Sequence, residues 1–261
     1  MPEPLKFLAF DTSTDRMSVA LTDGARVWQH SGPGGALAST TLIPAILALL
    51  DEAGLALGQL DAIVFGRGPG SFTGLRTACS VAQGLAFGAR HGAGIPVLPV
   101  DTLMAVAEEA RFQQAGVLAS RGEPLRITAL LDARMDEMYV QNYEFDSELW
   151  RRNMGCTLIR PENLVLEPPA QLLAGNVFGV YAGRLPAALA TLHCVQAFPT
   201  AAALLRLAPA LAAAGHCVDA ALALPLYVRD KVALTTDERA QVKLDAAAAA
   251  GAALASLATP G

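Results

Sequence analysis

A short apolar run, Ala62 to Phe65, breaks into Gly66-Arg67-Gly68-Pro69-Gly70. It continues into Ser71 to Phe87, with Leu75, Cys79, Ala82 and Ala86 at helical spacing. The pattern predicts a buried strand, a glycine-rich turn and a helix, the βα unit of an α/β fold. Three glycines in five residues let the backbone pass where a Cβ would collide. A strand feeding such a turn into a helix also leaves the first N–H groups of the helix free for an anion. The turn is not a Walker A loop, because the Lys of GxxxxGK[ST] is absent, and its glycine spacing fails GxGxxG. Two readings therefore stand side by side: close strand-to-helix packing, or an anion site. Arg67 and Arg76 flank the helix start, where a cation opposes the dipole unless an anion, a partner carboxylate or solvent offsets it.

The remaining pattern supplies the rest of an α/β lobe. Leu5 to Phe10 runs into Asp11-Thr12-Ser13-Thr14, Met17 to Leu21 follows, and Asp23-Gly24 turns the chain into Ala25 to His30. This predicts a three-stranded antiparallel meander. Ser39-Thr40-Thr41 opens a helix with Pro44 in its first turn and Gly54 ending it. Pro96 to Val100 and Thr102 to Phe112 add a strand and a helix, so the first 112 residues read β-β-β-α-β-α-β-α. Further on, strands are expected at Leu125 to Leu131, Glu137 to Phe145 and Cys156 to Ile159. Helices are expected at Pro161 to Val165 and Thr200 to Ala214, and a late strand or extended segment at Leu226 to Arg229. This reads as an N-terminal lobe over 1–112, a second α/β lobe over 113–235 and an alanine-rich helical tail over 236–261.

Composition narrows the function classes. Hydrophobic residues make up 53% of the 261 and charged residues 16%, the reverse of a disordered chain. No run of 18 or so strongly apolar residues stands out as a membrane span, and the N-terminus lacks the pattern of an export signal, so a cytoplasmic protein is expected. The net charge of −5 argues against a large nucleic-acid footprint, although 62–100 holds three arginines and no acid. Cys79, Cys156, Cys194 and Cys217 form no CxxC pair and read as reduced, mostly buried thiols. His30, His91, His193 and His216 have no metal-ligand spacing. Asp132, Arg134, Asp136 and Glu137 read as a solvated turn rather than an acid–base pair, and Trp28 and Trp150 as packing residues.

Four segments carry a family resemblance. They are Leu8-Ala-Phe-Asp-Thr-Ser-Thr14 with Ser18-Val-Ala-Leu21, and Gly66 to Arg76 running on through Ala82-Gln-Gly-Leu85. The others are Leu131-Asp-Ala-Arg-Met135 with Glu137-Met-Tyr139, and Pro225-Leu-Tyr-Val-Arg229. In these the chain resembles the TsaB family of bacterial tRNA threonylcarbamoyladenosine biosynthesis, formerly grouped with the glycoprotease-like proteins. The resemblance implies the two-lobed, duplicated α/β fold of the actin-like ATPases (ASKHA, RNase H-like). It also implies that Asp11, Thr12, Ser13, Gly68, Gly70 and Ser71 occupy the place of a phosphate or nucleotide site. A turn capped by short polar side chains is the equal alternative. In the related catalytic TsaD family a His-x-x-x-His pair holds a metal. Here Thr102 and Val106 stand at those positions and valine cannot ligate a metal. A further histidine of many family members corresponds to Ala38.

What the resemblance implies is therefore a non-catalytic subunit. It would pair with a TsaD-type catalytic partner and, with a TsaE-type ATPase, support threonylcarbamoyl transfer to an adenosine beside the tRNA anticodon. Neither metal nor cofactor is expected of the chain itself, with ATP at or near the partner junction left open. Transfer RNA is expected to be reached through the complex, and a homodimer to form in the partner's absence. Such a role calls for an apolar helical surface, here expected at Leu42, Ile46, Leu49, Thr73, Arg76 and Ser80. The competing reading is an autonomous nucleotide-dependent kinase or ATPase of the same fold, using Asp11 and the Gly66 to Ser71 turn.

Overall fold

Alternation in the first strands is what sets the architecture. A computed structural model describes residues 4–115, 124–146, 149–152, 154–166, 170–189 and 191–229. Phe7–Asp11 (β1) pairs antiparallel with Arg16–Thr22 (β2), which pairs with Val27–Pro33 (β3). The turn between β2 and β3 is held by Asp23, whose Oδ1 accepts the N–H groups of Ala25 and Arg26 while Gly24 takes φ +91°. Ala62–Gly68 (β4) and Val97–Asp101 (β5) join in parallel on the other side of β1, giving the order β3-β2-β1-β4-β5. Period-two alternation splits these strands between two cores. Leu8, Phe10, Val19 and Ile63 face one of them, and Phe7, Ala9, Ala20 and Val64 the other.

The first core is covered by Ala38–Ala53 (α1), over β2 and β3, and Phe72–Gly88 (α2), over β4. Helix α1 starts one residue earlier than Ser39, because a 3-10 turn at Gly35–Leu37 leads into it. Pro44 therefore lies in the second turn rather than the first. Ser39, Thr40 and Thr41 return their hydroxyls to the carbonyls of Ala36 and Leu37, and none of them caps the helix. Gly54 ends it in the left-handed conformation at φ +66°, as expected. Joined to its 3-10 turn, this stretch (Gly35–Ala53) is long and apolar enough to cross a membrane by length and composition, which the sequence reading did not anticipate. Its inner stripe packs on the sheet.

Thr102–Gln113 (α3) leaves the first sheet and packs on a second one. That sheet is built from Leu125–Asp132 (β6), Met138–Asp146 (β7), Leu149–Arg152 (β8), Leu172–Gly175 (β10) and His193–Gln196 (β11). Its order is β11-β10-β6-β7-β8, with Thr157–Ile159 (β9) also paired to β7. Val177–Val180 (α4) lies on its outer face. Ala201–Ala213 (α5), N-capped by Thr200, returns to the first sheet, where Ala201, Leu204 and Ala208 meet Phe7 and Ala9. Strands β8, β10 and β11 and helix α4 lack a sequence signal strong enough to be anticipated. The helix expected at Pro161 to Val165 is a single 3-10 turn, Pro161–Asn163. The segment from Leu226 is extended without a ladder. The alanine-rich helical tail expected over 236–261 lies outside the described residues. Of the four cysteines, all free, Cys79 is buried but Cys194 is exposed, so the thiols are less enclosed than their spacing suggested.

Helices α3 and α5 meet between the two sheets around a buried charge. The Glu108 carboxylate, 2% exposed, accepts from Arg111 at 2.8 and 2.9 Å, from Arg206 Nε at 2.8 Å and from Trp150 Nε1 at 3.1 Å. Arg206 also reaches Glu109, which accepts the Thr200 hydroxyl at 2.7 Å. Removing a carboxylate that satisfies two arginines leaves their charge uncompensated. Glu108→Ala is expected to cost about 3–5 kcal/mol in denaturant unfolding, whereas truncating the exposed Glu52 should change stability by no more than about 0.5 kcal/mol.

Candidate functional site

The glycine-rich turn is closed down on the end of β1. A Cβ on Gly66 would lie 1.8 Å from Asp11 Oδ2, one on Gly70 2.6 Å from Ser13, and one on Gly74 1.8 Å from the Thr12 carbonyl. Hydrogen bonds lock the same contact. Ser71 N–H donates to the Ser13 carbonyl at 2.7 Å, and the Thr12 hydroxyl to the Gly74 carbonyl at 2.7 Å. Ser71 N-caps α2 by accepting the Gly74 N–H. At the middle of the turn, Gly68 has φ +120° before a cis peptide to Pro69, and its N–H donates to the Thr102 hydroxyl. Asp11, Thr12, Gly68 and Gly70 are thus brought together with Ser13 and Ser71, but against one another. The N–H of Ser71 and the oxygens of Thr12 and Ser13 are already spent within the chain.

Asp11 is fully buried and unevenly served. Its Oδ1 accepts the Ser13 N–H at 2.8 Å and the Ser13 hydroxyl at 2.6 Å, while Oδ2 has no hydrogen-bond partner among the described residues. Burial raises its pKa from the ordinary 3.8 to about 6, against the lowering effect of the two Ser13 bonds. Thr102 and Val106 are both buried. The hydroxyl of the first serves Gly68, and the second packs in the core of the second sheet. Among the described residues no group of three His, Cys, Asp or Glu side chains is placed to hold a metal ion. The charged turn after β6 is tied up as well. Asp132 accepts the Tyr181 hydroxyl at 2.7 Å and the Arg134 N–H at 2.9 Å, and Arg184 pairs with Asp136 at 2.6 Å.

Outward, α2 presents Thr73, Arg76 and Ser80, all exposed. With Ser39, Phe72, Thr77 and Val81 they line a shallow groove of about 420 Å³ beside α1. Arg76 is fixed by its own neighbours: it stacks on Phe72 at 3.8 Å, and its Nε donates to the Tyr227 hydroxyl at 3.1 Å. The Tyr227 ring lies 5.5 Å from that of Phe72. Leu42, Ile46 and Leu49, expected on this surface, point the other way. They are 0%, 0% and 5% exposed and belong to the core beneath α1. The outward apolar residues are instead Leu37, Ile43 and Leu47, with Phe87 on α2. Both stripes of α1 are apolar, so composition alone did not distinguish them.

A sheet of two antiparallel and two parallel connections, a second sheet sharing its helices and a glycine-rich turn beside β1 define a two-lobed α/β protein of the actin-like ATPase class. Residues 37–214 match the family described as TsaD: tRNA N6-adenosine threonylcarbamoyltransferase. The chain is 33% identical over 241 residues to the tRNA threonylcarbamoyladenosine biosynthesis protein TsaB of Haemophilus influenzae, covering 87% of this chain and 95% of that one. It is 31% identical to TsaB of Escherichia coli, covering 88% and 96%. Among solved structures, YeaZ from Pseudomonas aeruginosa superposes with a TM-score of 0.74 at 37% identity, over 86% of this chain and all of that one. The chain belongs to the TsaB family.

The packing of the turn makes two sharp predictions. Gly74→Ala pushes a methyl into the Thr12 carbonyl and is expected to cost more than about 3 kcal/mol by chemical denaturation. Gly84→Ala, with open space around the new Cβ, should stabilise by about 0.5–1 kcal/mol through helix propensity. For Asp11, the folded state holds the proton more tightly than the unfolded chain. Its contribution is therefore full below pH 4 and is lost as the pH rises through about 6. Stability curves measured at pH 4 and pH 7 should show a loss on the order of 3 kcal/mol from this group, absent in Asp11→Asn.

Proposed function

We propose that this chain is the non-catalytic subunit of a tRNA threonylcarbamoyladenosine system, binding and activating a TsaD-type catalytic partner through the outer face of α1 and α2. The observation that carries the reading is that face itself. Leu37, Ile43, Leu47 and Phe87 stand exposed on α1, the turn leading into it and α2, and between these helices lies a groove lined by Ser39, Phe72, Thr73, Arg76, Thr77, Ser80 and Val81. Exposed apolar residues gathered on neighbouring elements mark a contact surface. The names carried by its relatives supply the pathway. In this reading the transfer chemistry resides in the partner, consistent with Thr102 and Val106 at the positions where the catalytic relatives hold a metal. A TsaE-type ATPase completes the system and tRNA is met through the assembly. The whole acts in the cytoplasm, with a homodimer through the same helices when the partner is missing. The division into lobes at about residue 112, with a tail after 235, belongs to the same proposal.

The competing reading, an autonomous kinase or ATPase, has less support. The turn that would cradle phosphates is filled by the Asp11 to Ser13 backbone and side chains. Any nucleotide is better placed at the junction with the partner. Co-purification with the TsaD-type protein encoded in the same genome tests the reading. Ile43→Glu combined with Leu47→Glu should abolish the complex while leaving the circular-dichroism spectrum unchanged. An undiminished complex, or stoichiometric ATP turnover by the isolated chain, would refute it.

A further inference from the structure

A second element borders α2 on the side away from α1. After α5 the chain forms an antiparallel bridge between Val218 and Val97 at the edge of the first sheet, then runs as a strap over α2 through the 3-10 turn Ala220–Leu222. It is anchored at several points. The Ala223 carbonyl accepts from Cys79 Sγ at 3.2 Å and from Gln83 Nε2 at 3.0 Å, and the Leu226 N–H donates to the Arg67 carbonyl at 2.7 Å. Ala220 and Ala223 fill the core, while Leu222, Leu224 and Tyr227 alternate outward at 67%, 65% and 45% exposure. Tyr227 is partly covered by Phe72 and Arg76, but Leu222 and Leu224, held outward by a segment pinned this firmly, are left exposed by the described residues.

Area indicates what they are for. Leu37, Ile43, Leu47 and Phe87 are each about half exposed. At roughly 200 Å² for a whole side chain of this size they offer on the order of 400 Å². A stable partner surface buries about 800 Å² on each side, roughly 55–65% of it apolar, so even when wholly covered the four side chains of α1 and α2 come out slightly below that apolar share. The three side chains of the strap nearly double it. Across the sheet the elements follow in the order α1, α2, strap, with the stack of Phe72, Arg76 and Tyr227 joining the last two without a break.

We infer that the strap 219–227 is the second half of the partner-binding surface, so that the catalytic partner seats on α1, α2 and the strap together. This rests on the function proposed above. The partner face that fits this surface is apolar and helical, with bulky side chains set against Leu222 and Leu224. A carboxylate on that face meets the free edge of Arg76, in a stretch of this chain (62–100) that carries no acid of its own.

The test compares two double variants of the full chain against the TsaD-type protein of the same genome by isothermal titration: Leu222→Ser with Leu224→Ser, and Ile43→Ser with Leu47→Ser. Both strap positions lie on the surface and leave Ala223 in place, so the thermal unfolding midpoint should stay at the wild-type value. The expected result is a Kd weakened at least tenfold by either pair. If the strap pair binds as wild type while the α1 pair is weakened, the strap inference is overturned and the proposed function stands. If the strap pair loses only self-association, measured by sedimentation, its occupant is a second copy and the assignment to the catalytic partner is wrong. No binding by the wild type overturns both.

Discussion

The position of α2 depends on one backbone-to-backbone contact, the seating of Gly74 on the Thr12 carbonyl. No side chain fits between them. Without a Cβ at 66, 70 and 74, β4 and the first turn of α2 can lie against the end of β1, and Ser71 and Thr12 complete the junction with hydrogen bonds. That contact sets how far α2 projects and which of its stripes faces out. In this chain the glycines do the work of close packing, and the N–H groups of Gly68, Ser71 and Gly74 are engaged by the chain itself.

The second organising interaction is the buried carboxylate of Glu108, which ties α3 and α5 to Trp150 of β8. Each of these helices packs on the sheet of the other half of the chain. The two lobes are therefore coupled through an ionic network as well as through apolar packing, with Met104 and Trp150 touching the cores on both sides. Such a network is costly to desolvate and tolerates few alternatives, which favours one fixed arrangement of the lobes. The face formed by α1, α2 and the strap stands on the opposite side of the first sheet from this network, so it is supported from behind by a packed layer.

Much of the first lobe was legible in the residues. The meander, the βα unit at Gly66 and the cap at Gly54 each have a local cause, either period-two alternation or a residue demanding positive φ. The second lobe was less so. Strands β10 and β11 are four residues long and carry little alternation. The Pro161 segment lacked the length to hold a full helix. For the site, Thr73, Arg76 and Ser80 were read to the exposed side, and Asp11, Thr12 and Ser13 to the glycine turn. Leu42, Ile46 and Leu49 were read to the wrong side of α1, because residues 42–50 are apolar on both stripes and helical periodicity has no sign. Of the strap, the extended run from Leu226 is legible in the residues, but no periodicity says what an extended segment lies across.

By itself the sequence determined the class of fold, the family, and the place where strand must become helix. These follow from local requirements, namely glycines that only a close approach explains and alternation that only a sheet explains. Tertiary structure decided which apolar side chains are core and which are surface, and whether the turn beside β1 is open or filled. Those outcomes depend on what packs against a residue from elsewhere in the chain. Residues 12 and 74, or 79 and 223, meet only once the whole lobe has closed around them.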